Sequence, residues 1–242
     1  MRRHMFRWSP ARIIAGAFGS ISFIGSILLY LPWGHMPGQS ITYVDALYTA
    51  VSALCVTGLS IVDTAAVFNP FGQAILAVLI QVGGLGVSTM GAGVLLMLGR
   101  KVGIRQRNLI HDTMNLDSYS GVVRFLRTLF ATTVFIEVIG AFLGYFVFRR
   151  DYEMMESIGL SIFHSISSFN NAGLTILTKE RSMEMYAEDP FMLILTTALV
   201  FVGGLGFIVI RECWVNRFRW RKLSMHSRVS IFMAVFLLVG GS

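Results

Sequence analysis

The long stretches at residues 13–44, 64–99 and 190–210 contain no Asp, Glu, Lys or Arg. An α-helix needs about 20 apolar residues to cross the hydrocarbon core of a bilayer. Only 14% of the chain is charged, whereas soluble domains carry about 25%. The sequence therefore predicts an integral membrane protein. The first stretch is too long for a secretory signal peptide and lacks its small-residue cleavage site.

The basic residues indicate how the chain is oriented in the membrane. Sixteen of the 20 Lys and Arg residues fall in three clusters, at 2–12, 100–127 and 211–228. Basic loops favour the cytoplasmic side, so all three clusters and the N-terminus are expected there. The distribution along membrane segments also argues against nucleic acid as the partner of this basic chain.

The segments expected on the opposite side are acidic. Around 35–70 and 149–190 they hold nine acids against four basic residues. A negative outer surface raises the local concentration of cations. Ordinary solvated loops explain the same charges equally well. The nine acids are Asp45, Asp63, Asp151, Glu153, Glu156, Glu180, Glu184, Glu188 and Asp189.

The first half of the chain cannot be a simple series of spanning helices. An outward helix is expected from about residue 12 to 31, after Ser9 as N-cap and Pro10 at the first helical position. The next segment, 40–54, offers 10–12 helical residues, or about 15–18 Å, half of a core about 30 Å thick. Since the run 70–99 must return to the cytoplasm, residues 42–61 enter and leave from outside as a re-entrant hairpin.

The second half repeats this plan. The sequence predicts an outward helix over 122–148, a half helix over "ESIGLSIFHSISSF", a return segment at "NNAGLTI" and an inward helix over 190–210. An offset of 115 residues aligns Ser52 with Ser167 and "GLSI" with "GLTI", and an offset of 120 aligns two copies of "VGGLG". A further outward helix starts near 225. We expect an all-α polytopic membrane protein with repeats at 1–112 and 113–222 and a truncated third repeat at 223–242.

The repeated phrases "CVTGLSI" and "NNAGLTI" can carry cation chemistry. Irregular backbone at membrane depth is tolerated where it is buried in protein or lines a watery cavity. A ring of main-chain carbonyls can replace the hydration shell of a cation and form a selectivity filter, and glycine permits the required backbone turns. The predicted ion-binding residues are Val56, Thr57, Gly58, Asn171, Ala172 and Gly173. The predicted supporting residues are Cys55, Asn170, Ser52 and Ser167.

These phrases and their flanks resemble the Trk/Ktr/HKT superfamily of potassium transporters, and most closely its bacterial Ktr type. The resemblance covers "DALYTAVSALCVTGLSIVDT", "FGQAILAVLIQVGGLGVSTMG", "GRKVGI", "FHSISSFNNAGLTI" and "VGGLGF". It implies four repeats of outer helix, pore helix, filter loop and inner helix, of which this chain holds the N-terminal half. The family's filter glycines correspond to Gly58 and Gly173, and a glycine rather than serine at 58 favours potassium over sodium.

The resemblance also implies the biological setting. It implies potassium uptake at the bacterial plasma membrane, often coupled to sodium, with potassium as substrate and no resident cofactor or metal. The expected partners are the lipid bilayer, a cytosolic nucleotide-binding regulatory subunit of the RCK type, and a second copy of the chain in a homodimer. The basic loop at 100–112 either docks that subunit or follows the positive-inside rule.

Other polar features favour structural roles. The "GGLGVSTMGAG" segment lacks the third glycine of a dinucleotide-binding motif, since Thr89 stands there, so we assign it to close helix packing. Glu137 is the one acid inside a predicted span; it either acts in transport or is a buried partner for a hydroxyl or an arginine. His164 is expected to be a structural hydrogen-bonding residue rather than a pH sensor. Cys55 and Cys213 are not expected to form a disulfide.

The favoured function is passage of potassium past a carbonyl filter. The alternatives are a sodium-selective transporter of the same fold and a membrane scaffold that transports nothing. An enzyme is not expected, because the sequence contains no Ser/His/Asp set, no paired carboxylates at a common depth and no cluster of metal ligands.

Overall fold

The computed structural model describes residues 10–86, 89–90, 122–177, 183–217 and 219–240. Regular structure in these ranges is helical, and the β-type pairing within them is an isolated antiparallel bridge between His35 and Phe68. The all-α fold class predicted from the sequence is therefore confirmed for the described ranges. The basic loop at 100–112 and the repeat boundary predicted at 112 lie outside them.

The helices follow the chain in two groups. They are α1 (Pro10–Tyr30), α2 (Tyr43–Cys55), α3 (Thr64–Val67), α4 (Pro70–Leu85), α5 (Val122–Phe148), α6 (Met154–Phe169), α7 (Pro190–Leu205), α8 (Phe207–Val215) and α9 (Met225–Gly240). Short 3-10 turns lie at Pro32–Gly34, Met183–Tyr186 and Trp220–Lys222.

Local sequence fixes where the principal helices begin. Thr42 and Asp45 form a reciprocal capping box at the start of α2, which satisfies free N–H groups of the first turn. Asn69 caps α4 and Asp189 caps α7, each accepting two backbone N–H bonds and each followed by proline at the first helical position. Proline is favoured there because its missing N–H has no helical partner anyway.

The two groups of helices pack in the same way. Helix α2 packs against α1 and α4, and α6 packs against α5 and α7. Helix α4 also packs against α6 and so joins the two groups. One hydrophobic cluster runs through both, from Leu29 and Ile80 on one side to Phe163 and Met192 on the other. Helices α2 and α6 are thereby each held between two neighbouring helices.

Helix length supports only part of the predicted membrane topology. Among the described residues, Phe125–Phe148 is the one unbroken helix long and apolar enough to cross a bilayer. Helices α7 and α8 reach that length together, but they meet at an angle of 97°. The segments Ile14–Tyr30, Tyr43–Cys55, Pro70–Leu85 and Met225–Leu238 are shorter apolar helices.

The two predicted inward helices need correction. A straight helix over 190–210 is wrong, because Gly206 has φ +81° and the chain turns there. The helix predicted over 70–99 ends at Leu85, where Gly86 has φ +82°; residues 91–99 lie outside the described ranges. Positive φ is open to glycine and resisted by other residues, and hydropathy alone does not register it. The outward helix predicted over 122–148 matches α5 in both bounds.

Candidate cation site

The chain reverses direction after α2 and after α6 with the same backbone geometry. Val56 and Asn171 have φ of 56° and 58°, and Gly58 and Gly173 have φ of 74° and 70°. The left-handed region costs an L-residue about 1–2 kcal/mol, and asparagine tolerates it better than valine does. A β-branched residue such as Val56 is an outlier there, and such strain clusters at functional sites.

The hydrogen bonds that shape the two loops also coincide. Thr57 N donates to Ser52 O at 3.0 Å, and the Ser52 hydroxyl donates to Leu59 O at 2.5 Å. At the positions 115 residues later the corresponding distances are 2.8 Å to Ser167 O and 2.6 Å from the Ser167 hydroxyl to Leu174 O. Each serine thus ties the end of its helix to the outgoing side of its loop. Support of a cation filter by these two serines stays a prediction.

The carbonyl oxygens between these ties accept no hydrogen bond from the residues that the structure describes. Within the described part of the chain, no N–H or O–H group donates a hydrogen bond to the carbonyl oxygens of 56–58 or of 171–173. The flanking carbonyls of Leu59 and Leu174 are occupied by the serine hydroxyls. The oxygens predicted from the sequence as cation ligands are therefore those left available by the loop structure.

The two loops meet in space. A Cβ built on Gly58 would lie 2.6 Å from Ala172 O and 3.5 Å from Gly173 Cα. A Cβ on Gly173 would lie 3.7 Å from Gly58 Cα. The Thr64 hydroxyl of α3 donates to Thr175 O and adds a polar link between the two halves. Two segments 115 residues apart therefore place their glycines side by side.

Glycines of the repeated "VGGLG" let α4 and α7 approach these loops. A Cβ on Gly83 would overlap Leu54 O at the end of α2, and one on Gly203 would overlap Phe169 O at the end of α6. The contact again recurs in both halves. Close packing, the role predicted for these glycines, is what the structure shows.

Asn170 lies at the end of α6 and connects three helices. Its Nδ2 lies 3.0 Å from Gln81 Oε1 of α4, 3.3 Å from Glu137 Oε1 of α5 and 2.9 Å from Ile166 O. The Glu137 carboxylate is bonded by the Asn170 amide, and the main-chain oxygen of Glu137 accepts from the Ser165 hydroxyl at 2.7 Å. The hydroxyl predicted as a partner of Glu137 is therefore present, but it contacts the main chain and not the carboxylate. Gln81 is not among the site residues predicted from the sequence. Its position as the polar residue directly before the first "VGGLG" could have marked it as a candidate.

The remaining predicted residues have separate environments. The Asn171 amide faces α7, where Nδ2 can donate to Val200 O and Oδ1 can accept from Gly204 N, each at 3.3 Å. His164 lies 3.1 Å from the Thr196 hydroxyl, as expected for a structural hydrogen-bonding residue. Cys55 is exposed at the last position of α2 and is a free thiol; its supporting role stays a prediction.

Two of the acids expected on the outer side have structural roles as helix caps. Asp63 accepts from two backbone N–H groups at the start of α3, at 3.1 Å each. Asp189 accepts from Met192 N and Phe191 N and forms a 2.7 Å ion pair with Arg150. These bonds and the arginine hold the pKa of Asp189 below its ordinary value of 3.8. Capping accounts for these two acids without reference to cation entry.

Comparison with known proteins identifies the family. The TrkH family, described as "Cation transport protein", matches residues 10–233. The chain belongs to this family. It is therefore related to membrane transporters rather than to enzymes, and the resemblance read from the two glycine phrases is confirmed.

Individual relatives agree with the TrkH assignment. The chain is 35% identical over 235 residues to the potassium/sodium uptake protein NtpJ of Enterococcus hirae, covering 97% of this chain and 51% of the relative. It is 34% identical over 225 residues to the Ktr system potassium uptake protein B of Bacillus subtilis, covering 93% and 49%. The Vibrio alginolyticus protein of the same name is 35% identical over 248 residues, covering 100% and 52%. The chain spans about half the length of these relatives.

Proposed function

We propose that this chain contributes to potassium uptake across a bacterial membrane and that its two loops line the path of the ion. The observation that carries the proposal is the pair of matching loops with available carbonyls at 56–58 and 171–173. Relatives named as potassium uptake proteins over nearly the whole chain add support. Activity of the whole protein is included in the proposal, because the chain spans half of those relatives.

The proposed chemistry is replacement of water by backbone oxygens. A cation that enters the loops loses hydration and gains carbonyl ligands from both halves. Helices α2 and α6 end at the loops, so the partial negative charge of each C-terminus favours a cation there. Because the proposed cation ligands are backbone oxygens, Thr57 and Ala172 can differ in side chain while their loops share one conformation.

The finer topology belongs to the same proposal. We place α2 and α6 as re-entrant pore helices between outer helices α1 and α5 and inner helices that begin with α4 and α7, with a cytoplasmic N-terminus. A cytosolic RCK-type nucleotide-binding subunit and a second copy of the chain are the proposed partners. Potassium is the proposed substrate, sodium a coupling ion, and no resident cofactor is invoked.

Sodium selectivity is the second candidate. It is favoured by the Enterococcus hirae relative, whose name includes both potassium and sodium. The same loops serve either ion, and uptake measurements with each cation separate the two candidates. A scaffold that transports nothing predicts no cation uptake at all.

The test is rescue of a bacterium that lacks its own potassium uptake systems, using the protein that contains this chain. We expect growth at low external potassium and uptake of rubidium-86, with both lost in Gly58→Asp. Gly38→Ala is the matched control, since Gly38 also has positive φ but lies outside the loops, with no atom within 4 Å of an added Cβ. Normal rescue by Gly58→Asp at matched membrane abundance contradicts the loop assignment.

A further inference from the structure

Three polar side chains meet inside the protein behind the second loop. Asn170 precedes 171–173 directly, and its amide nitrogen lies within 3.0–3.3 Å of Gln81 and Glu137. Gln81 belongs to α4 of the first half and Glu137 to α5 of the second. All three are shielded in part from solvent by the helices around them.

This cluster is not part of the repeated plan. The position equivalent to Asn170 in the first half is Cys55, which is exposed, and Phe201 occupies the place of Gln81 in the second "VGGLG" segment. The serine ties and the positive-φ residues recur in both halves, but this contact occurs once. It therefore acts at the junction between the halves and not within each loop.

The geometry leaves Asn170 little freedom. An amide NH2 has two donors, and here both are directed at acceptors on α4, α5 and the preceding turn of α6. The other side of the amide is closed by α4, because a Cβ on Gly84 would overlap Asn170 Oδ1. Leaving a polar group without its hydrogen-bond partner among apolar helices costs free energy. These hydrogen bonds therefore hold the Asn170 side chain in this position.

We propose that Gln81 and Glu137 are positioning residues that determine cation selectivity through Asn170. They fix the start of the second loop relative to the first half, and thereby the spacing between the carbonyls of the two loops where Gly58 faces Ala172. The Glu137 carboxyl oxygen acts here as a hydrogen-bond acceptor for Asn170 and makes no contact with the ion. This inference rests on the proposed function, because it concerns the selectivity of the same loops.

The deciding experiment reverses the direction of one hydrogen bond. In Asn170→Asp, the amide donors to Gln81, Glu137 and Ile166 are lost, and two carboxylates that repel each other when both are ionised face one another. In Glu137→Gln, the new amide still offers an oxygen to Asn170. In the double variant the glutamine can donate to the aspartate, which restores the contact with the polarity exchanged and with the same total charge. The readout is the ratio of the KM for rubidium uptake to the inhibition constant of lithium, measured at one fixed sodium concentration and with uptake rates scaled to membrane abundance.

We expect the ratio to rise about tenfold in Asn170→Asp, the size of one charge-assisted hydrogen bond lost. It should stay near the parent value in Glu137→Gln and return to within about threefold of the parent in the double variant. A double variant no better than Asn170→Asp overturns the proposal. So does a Glu137→Gln variant as altered as Asn170→Asp, because charge rather than position would then decide selectivity.

A second pair keeps the test open if Asn170→Asp fails to reach the membrane. Gln81→Leu removes one acceptor of Asn170, whereas Gln73→Leu removes an amide on the same helix that donates to Phe68 O, away from the loops. We expect the ratio to change by at least about fivefold in the first and to stay unchanged in the second. An unchanged ratio in Gln81→Leu overturns the proposal. Absence of uptake by the parent protein would instead refute the proposed function, so the two failures are distinct.

Discussion

Replacing the two loop glycines by alanine should impair the protein to different extents. Gly58→Ala and Gly173→Ala both place a Cβ at positive φ, which costs about 1–2 kcal/mol. Only the first also meets a close neighbour: its Cβ would lie 2.6 Å from Ala172 O, against 3.7 Å to Gly58 Cα for the second. Ordinary contact begins at 3.4 Å, so Ala172 O must retreat by about 0.8 Å.

The magnitude follows from adding the two costs. Overpacking in a close-packed site costs about 1–3 kcal/mol. The free energy of unfolding should therefore fall by about 2–5 kcal/mol in Gly58→Ala and by about 1–2 kcal/mol in Gly173→Ala. The atom displaced in Gly58→Ala is Ala172 O, a proposed ion ligand. Transport should therefore be impaired more in Gly58→Ala than in Gly173→Ala. We expect the KM for rubidium to rise by at least about tenfold in Gly58→Ala and by a few-fold in Gly173→Ala.

The assay is rubidium-86 uptake in the potassium-uptake-deficient strain, scaled to protein detected in the membrane. Gly38→Ala controls for backbone strain, because Gly38 has φ +81° and open space around it. Equal effects of the two loop variants, or a larger effect at Gly173, would refute the close approach of Ala172 O to Gly58.

Three further predictions test the supports of the loops. Ser52→Ala and Ser167→Ala each remove a hydroxyl-to-carbonyl tie; each should lower the unfolding free energy by about 0.5–1.5 kcal/mol, measured by denaturation in detergent, and a variant of unchanged stability speaks against its tie. Gly83→Ala should destabilise by about 1–3 kcal/mol because its Cβ overlaps the carbonyl end of α2, whereas Gly16→Ala, in an open stretch of α1, should be neutral or stabilising by up to about 1 kcal/mol; equal melting temperatures would contradict this. The lowered pKa of Asp189 means that its carboxylate stabilises the fold above its ordinary pKa of 3.8 and loses this effect as pH falls below that value. The difference in melting temperature between the parent and Asp189→Asn should therefore shrink as pH falls below 3.8, and a difference independent of pH would contradict it.

Much of the fold could be predicted because apolar length, charge and caps are local properties. The C-terminal bound of α5 follows from an apolar run that ends at Arg149 and Arg150. Helices α4 and α7 begin at Pro70 and Pro190, the starts predicted for the two inward helices. The offset of 115 residues found in the sequence turns out to relate φ angles and hydrogen bonds as well as letters. Here a repeated phrase corresponds to a repeated backbone conformation.

One feature that the sequence did not reveal is a single backbone angle, and the others are contacts between distant segments. The bend at Gly206 depends on one backbone angle, and an apolar pattern continues through it unchanged. Both glycine phrases are predicted to line one filter, but how closely Gly58 approaches Ala172 depends on packing between the two halves and not on local sequence. The same holds for Gln81 and Asn170, which are 89 positions apart and meet only once α4 packs against α6.

The most direct test of the account is to locate the ion. The protein that contains this chain, once shown to take up rubidium, should be crystallised with rubidium or thallium and the anomalous signal mapped. The account predicts a peak within coordination distance of carbonyl oxygens of both 56–58 and 171–173. An occupied site elsewhere, with both sets of carbonyls lacking the ion at the same concentration, would contradict the claim that these loops bind the transported cation.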